Sequence, residues 1–379
     1  MSLRSLLFRL RLSLYRKLPI KRNRIVFLSH LGKTYACNPR YICEYLASNF
    51  PGKYDLVWVY DQNQSNKPVL PEGVRAVPYF SHQCLREINT ARFIISNTRI
   101  SDAFFFEKRK GQRYIQTWHS SLRLKCIEAD AGLGADYENF ARRDSSKIDV
   151  IFSGGTFSSD IFRNSFWYDG EIIESGTPRI DWLKNIDRNT VSAIYTKSGL
   201  SDKFKYLLYA PTFRKDANTD AYIHDFETVC SALEKRFGGK WKILYRLHPN
   251  LKGNTNAAVH SPDVIDMTDY DDIQELLVIS DILVTDYSSS MFDAIFCAKT
   301  CLLYAKDLED YTAKERRLYF DIEALPFPLA RDERHLAEII TSFDDDKYRH
   351  STSEFVNRIG SAETGNACKT ISDYISRNN

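Results

Sequence analysis

The sequence predicts two doubly wound α/β domains, and three observations lead there. Short apolar runs of strand length alternate with helix-period segments from residue 24 onward. The alternation comes in two series, the second beginning near residue 205. The chain has 379 residues, the length of two ordinary domains, each able to bury a full core.

In the first series, strands are predicted at 24–29, 55–60, 92–97, 113–119 and 147–154. They are apolar on both faces, as in a parallel sheet covered on both sides. A helix is predicted over 38–49, with Asn38 as N-cap and Pro39 in its first turn. Gly176, Thr177 and Pro178 open a charged stretch to about 204, the candidate boundary. In the second series, strands are predicted at 205–212, 240–249, 263–267, 281–290 and 299–305. Helices fall near 222–237, 271–279 and 289–298, and the tail 332–379 reads as helical. The expected division is 1–22 as a separate helix, 23–190 as one domain and 191–379 as the other. The cleft between two such domains is the default ligand site.

Residues 2–18 are predicted to form that helix. Leu3, Leu6, Leu7, Leu10, Leu14 and Leu18 fall on one stripe, flanked by Arg4 and Arg11 on one side and Arg9 and Arg16 on the other. The run is too charged to span a bilayer and lacks the features of a secretory signal. It reads as a basic amphipathic helix lying on an anionic membrane, or as a helix packed on its own domain or a partner. The charge distribution points to the membrane. Residues 1–43 hold ten Lys/Arg and no acid, so of the 52 basic and 49 acidic residues the remainder carries 42 against 49, or −7. A general nucleic-acid binder would spread positive charge over a working face. The eight cysteines lie mostly in apolar runs without zinc spacing, as reduced core thiols do.

Four stretches carry candidate chemistry. In 280–299 a strand runs into Thr285-Asp286-Tyr287, then Ser288, Ser289 and Ser290, then a helix containing Asp293. Ligands of doubly wound sheets sit beyond strand carboxyl ends, where hydroxyls and helix N–H groups suit phosphate. One serine alone would serve as a helix cap. In 207–216 a strand ends at Pro211 and presents Thr212, Arg214 and Lys215, suited to phosphate oxygens or to a solvated turn. In 243–250 Arg246 and His248 point to one face of a strand. His248 there stabilises a developing charge, shuttles a proton, or is a structural histidine. In 114–125 His119 follows a buried strand, with Ser120, Ser121, Arg123 and Lys125 after it. It is a candidate general base. Glycine-rich phosphate loops are absent, and the Asp-rich runs 269–275 and 344–346 read as helix starts or solvated faces, so no metal or other cofactor is assigned.

Taken in order, these stretches resemble the CDP-glycerol glycerophosphotransferase family of teichoic-acid-type primases and polymerases. The matching motifs are Thr117-Trp118-His119, Ala210-Pro211-Thr212-Phe213-Arg214, Leu247-His248-Pro249, and Thr285-Asp286-Tyr287-Ser288-Ser289 with Phe292-Asp293. Softer matches are Asn38-Pro39, Gly176-Thr177-Pro178-Arg179, Asp307-Leu308-Glu309 and Gly365-Asn366-Ala367. The resemblance runs from about residue 24 to 377.

It implies a glycosyltransferase-B-like fold of two Rossmann-like domains facing a cleft, acceptor in the amino-terminal one and nucleotide in the carboxyl-terminal one. It implies transfer of glycerol phosphate, or a related alditol phosphate, from a CDP-alditol to a hydroxyl of a polyprenol-linked, teichoic-acid-like glycan, releasing CMP. The expected location is the cytoplasmic face of the bacterial membrane, peripherally bound. Carried onto this sequence, His119 is the base and His248 supports the donor phosphate. Thr212, Arg214, Ser288, Ser289 and Asp293 bind the CDP-alditol. Arg246, Thr285, Asp286, Ser290 and Asn38 complete the expected binding set. The sequence departs from the family pattern at Ser120-Ser121, in place of Gly-Thr, where a serine brings its side chain into the cleft. It departs again at Arg316-Arg317 and Pro326-Phe327-Pro328. These departures concern donor alcohol and acceptor more than fold. Two other readings are a nucleotide-sugar glycosyltransferase of the same fold and a non-catalytic assembly subunit.

Overall fold

A computed structural model describes residues 10–63, 68–104, 106–214, 220–247 and 261–379. Two compact units result. The first comprises Met1–Ser121, Ile127–Trp182 and Ala362–Asn379; the second comprises Leu122–Cys126 and Leu183–Ser361.

The first unit holds seven strands: β1 (Lys21–Leu28), β2 (Asp55–Tyr60), β3 (Val74–Pro78), β4 (Ala91–Ser96), β5 (Arg113–Gln116), β6 (Val150–Ser153) and β7 (Glu171–Glu174). Their order is β3-β2-β1-β4-β5-β6-β7, and every pairing is parallel. Alternate residues of β1 enter different cores. Val26 and Leu28 pack with Ile94, Tyr114 and Ile151, while Ile25 and Phe27 pack with Trp58, Ile95 and Val150. Both faces are therefore buried, which is why the strands read as continuous apolar runs.

The second unit holds β8 (Lys205–Ala210), β9 (Trp241–Tyr245), β10 (Val264–Asp266), β11 (Ile282–Thr285), β12 (Thr300–Tyr304) and β13 (Leu329–Ala330). Their order is β10-β9-β8-β11-β12-β13, again all parallel. In each sheet the winding reverses once, between β1 and β4 in the first and between β8 and β11 in the second. Such reversals open a crevice beyond the strand ends, where ligands bind in this architecture.

The structure corrects several expectations. The tail does not all belong to the second domain. The helix Ala367–Arg377 returns to the first sheet, burying Ile371, Tyr374 and Ile375 beside Phe152 and Phe93. Leu122–Cys126, expected in the first domain, belongs to the second unit. The strand expected over 113–119 stops at Gln116, because Trp118 takes a left-handed backbone (φ 51°) that no strand accommodates. Asn38 does not cap its helix, Cys37–Asn49, since its side chain turns elsewhere, as described below. Of the predicted amphipathic helix, residues 10–15 are helical with Leu10 and Leu14 exposed, and residues 1–9 lie outside the described residues. No helix among the described residues is long and apolar enough to cross a membrane.

Candidate active site

At the reversal point of the first sheet, β1 leads into His30, β4 into Asn97 and β5 into His119. His119 Nδ1 lies 3.0 Å from the Asn97 carbonyl oxygen. A carbonyl only accepts, so Nδ1 carries the proton and Nε2 is the basic nitrogen of the neutral ring. The ring stacks on Trp118 at 4.5 Å, and Trp118 packs edge-on against Phe166 in the core. The His30 ring lies 5.6 Å away, and the Asn97 side chain accepts the His30 backbone N–H at 2.8 Å.

The backbone carrying His119 is fixed from several sides. Asn38, fully buried, donates to the carbonyls of Thr117 and Trp118, both at 3.1 Å, and accepts from the Arg179 N–H at 3.2 Å. Arg179 in turn donates to the His119 carbonyl at 2.8 Å. The Ser121 hydroxyl donates to Glu363, whose second oxygen accepts the Thr177 N–H at 2.8 Å. The buried carboxylate draws Ser121, which stands where the family has Thr, inward. Burial pushes Glu363 up to about 7, although the bonds from Ser121 and Thr177 pull the other way. Two glycines admit this arrangement. A Cβ on Gly154 would stand 2.5 Å from the Ser121 carbonyl, and one on Gly176 (φ 78°) 2.8 Å from Glu363.

At the reversal point of the second sheet, the groups are charged. Asp286, just past β11, accepts the N–H of Thr212 at 2.8 Å and that of Tyr287 at 2.6 Å. Its other oxygen accepts from Arg214 at 2.9 Å. Arg214 also grips Asp307 at 2.7 and 3.1 Å, and its guanidinium lies over the rings of Tyr287 and Tyr311 at 4.9 and 5.0 Å. Burial lowers the Arg214 pKa, but the two carboxylates outweigh it and raise it. Thr212 leaves a buried Oγ1 without a hydrogen-bond partner. A cavity of about 330 Å³ opens beside Arg214, lined also by Lys306, Asp307, Tyr311 and Lys314.

The remaining predicted residues fall around this cluster. Ser288 Oγ accepts from the Ser290 backbone at 3.3 Å and its hydroxyl at 2.9 Å. Ser289 Oγ accepts the Leu124 N–H at 3.2 Å. Thr285 donates to the Ala210 carbonyl at 2.7 Å, tying β11 to β8. Asp293 is buried under the strand ends and accepts from Gln274 at 3.1 Å. Arg246 leaves the end of β9 and donates to the Tyr270 carbonyl at 3.1 Å. His248 and Lys215 lie outside the described residues. No cluster among the described residues is suited to hold a metal ion. Sequence reasoning missed His30 and Glu363. His30 had a readable signal, its place directly after a strand of the sheet.

Two all-parallel sheets, each with its polar residues gathered at its own reversal of strand order, define a glycosyltransferase-B-like transferase. The profile of the CDP-glycerol:poly(glycerophosphate) glycerophosphotransferase family matches residues 10–377. A Bacillus spizizenii teichoic acid poly(glycerol phosphate) polymerase is 31% identical over 386 residues, covering 98% of this chain and 97% of the relative. A Staphylococcus epidermidis polymerase of the same name is also 31% identical, but the chain spans about half its length (51%). Among solved structures, a histidine-to-asparagine variant of the wall teichoic acid polymerase TagF soaked with CDPG superposes with a TM-score of 0.85. It is 30% identical and covers 99% of this chain and 95% of that one. The chain belongs to this family, the glycerophosphotransferases that use CDP-glycerol in teichoic-acid synthesis.

Proposed function

We propose that this protein moves glycerol phosphate from CDP-glycerol to a hydroxyl of a polyprenol-linked, teichoic-acid-like acceptor at the cytoplasmic face of the bacterial membrane. The acceptor oxygen bonds to the phosphorus bearing glycerol. The bond from that phosphorus to the bridging oxygen breaks, and CMP leaves. The acceptor proton passes to His119 Nε2. The observation that carries this reading is the His119–Asn97 contact, which sets the tautomer a general base needs. Phosphoryl-type transfer otherwise asks for positioning and charge stabilisation, which Thr212, Asp286, Ser288, Ser289 and Ser290 offer in the second unit, with His248 on the donor phosphate. Arg214, held by two carboxylates, shapes that site. The basic segment before β1, with Leu10 and Leu14 exposed, is the membrane contact.

The test is CMP release from CDP-glycerol, with CDP-ribitol alongside, over membranes that supply lipid-linked acceptor. Acceptor-dependent release should appear with CDP-glycerol and fall by about 10²–10⁴-fold in His119→Ala, the range of one general base. Full activity in that variant would remove His119 from the chemistry. Release from CDP-ribitol alone would reassign the donor.

A further inference from the structure

Lys125 stands in the five-residue segment Leu122–Cys126, which belongs to the second unit although the chain on either side belongs to the first. The segment is pinned along its length. Leu124 accepts the Tyr319 N–H at 2.8 Å, Cys126 donates to the Arg317 carbonyl at 2.9 Å, and Lys125 forms an antiparallel bridge with Leu318. The Leu124 N–H on Ser289 Oγ sets Lys125 beside the serines that follow β11.

The Lys125 side chain is half-buried, its ammonium 5.5 Å from the centre of the Tyr311 ring. It makes no hydrogen bond or ion pair among the described residues. That is unusual in a site with two carboxylates. Both are already engaged: Asp307 by Arg214 and Tyr287, Asp286 by Arg214 and two backbone N–H groups. Three ammonium donors are left in a part-desolvated place without an acceptor, a costly arrangement unless an anion completes it. Thr212 Oγ1, at the end of the neighbouring β8, is a second polar group without a partner. Burial pulls the lysine down to about 8; Asp286 and Glu315 oppose the drop, while Arg316 and Arg214 add to it.

We propose that Lys125 is a donor-binding residue whose ammonium holds the diphosphate of the CDP-alditol. This deepens the donor reading above and rests on it. The diphosphate is the donor's only charged part, so it is the part an unpaired ammonium recognises. Arg214 spends four of its five N–H donors on Asp286, Asp307 and the Thr212 carbonyl, so Lys125 is the less committed cation for that contact. Lys125 acts in the ground state as well as during transfer, so its loss shows in affinity.

The experiment is calorimetric titration of wild type, Lys125→Ala and Lys125→Arg with CDP, cytidine and inorganic pyrophosphate. Lys125→Ala should weaken CDP and pyrophosphate by about 10- to 100-fold, the loss of one charge-assisted hydrogen bond. Cytidine should stay within about twofold, because it lacks the charge the ammonium reads. Wild-type affinity for CDP should fall as pH rises through about 8, and that of Lys125→Arg should not. Unchanged CDP affinity in a folded Lys125→Ala, or an equal loss of cytidine, overturns the proposal. If Lys125→Ala does not fold, identical pH profiles for wild type and Lys125→Arg overturn it. If wild type binds pyrophosphate but not CDP, the donor reading fails, and the lysine is then judged on pyrophosphate alone.

Discussion

The two strand-end sites are built from opposite materials. The His119 ring meets a carbonyl and an aromatic face, Asn97 O and Trp118, and charge reaches it through Arg179 on its backbone carbonyl. Around Thr212 the contacts are a lattice of charge, with Arg214 clamped between Asp286 and Asp307 and Lys125 nearby. The difference fits the two tasks proposed for them. A base that takes a proton near neutral pH needs a fixed ring and tautomer, which dipoles supply without a large field. A site for a diphosphate needs charge held rigidly in place before the ligand arrives. The first site should therefore break through geometry and the second through electrostatics.

Arg214 is the sharpest place to break the second. Arg214→Ala leaves two neighbouring carboxylates without their cation, so it should cost about 3–5 kcal/mol of stability in denaturant unfolding. CDP binding should be lost with it. Arg214→Lys restores the charge but not the fork that serves Asp286 and Asp307 together, and should recover only part. A fully stable Arg214→Ala would mean that packing of Tyr287 on Tyr311, 3.6 Å apart, holds this site and charge does not.

Asn38 is the corresponding place in the first site. Asn38→Ala removes its bonds to the Thr117 and Trp118 carbonyls and from the Arg179 N–H, at about 1–3 kcal/mol, although the Trp118 carbonyl keeps the Thr117 hydroxyl. Because the change loosens the backbone behind His119, kcat should fall about tenfold. CDP affinity should stay unchanged, since the proposed donor residues belong to the other unit. A drop in CDP affinity equal to that in kcat would contradict the division of labour. It would return Asn38 to the substrate-contacting role that the sequence suggested.

Much of this was legible in the chain. The central strands announce themselves because burial on both faces makes them continuous apolar runs, as in β2 and β4. The edge strands β3, β7 and β13 were not seen. Val74–Pro78 buries only Val77, and Glu171–Glu174 buries no residue fully, so neither carries such a run. The Thr212–Arg214 and Asp286–Ser290 parts of the second site lie in two short contiguous stretches, each at a strand end, and were found together, whereas Asp307, Tyr311 and Lys125 join them from elsewhere in the chain. The first site is assembled from residues far apart, including Asn38, Asn97, Arg179 and Glu363. His119, Asn38 and the Gly176–Arg179 stretch stood out, but Asn97 and Glu363 did not, because hydrogen bonds across 22 to 242 residues leave no local pattern. The same holds for Ala367–Arg377, whose apolar stripe says that it packs but not where.

Glu363 gives the smallest and most specific effect. Its folded-state pKa, about 7, lies above the ordinary 4.5. The folded protein therefore binds this proton more tightly than the unfolded chain does. The stabilisation is complete below about pH 4.5 and is lost as pH rises through about 7. Glu363→Gln removes the titration while keeping the contacts. The amide oxygen accepts the Thr177 N–H, and the amide nitrogen donates to the hydroxyls of Ser121 and Thr177. Wild type should melt a few degrees, about 3–8 °C, lower at pH 8 than at pH 5 through this group. In Glu363→Gln that difference should shrink, with the larger gain at pH 8. CDP binding, proposed to depend on the second unit, should keep its wild-type pH profile. An unchanged melting difference would place the titrating group elsewhere. A shifted CDP profile would mean that the neutral surroundings of His119 and the charged surroundings of Thr212 do not act separately.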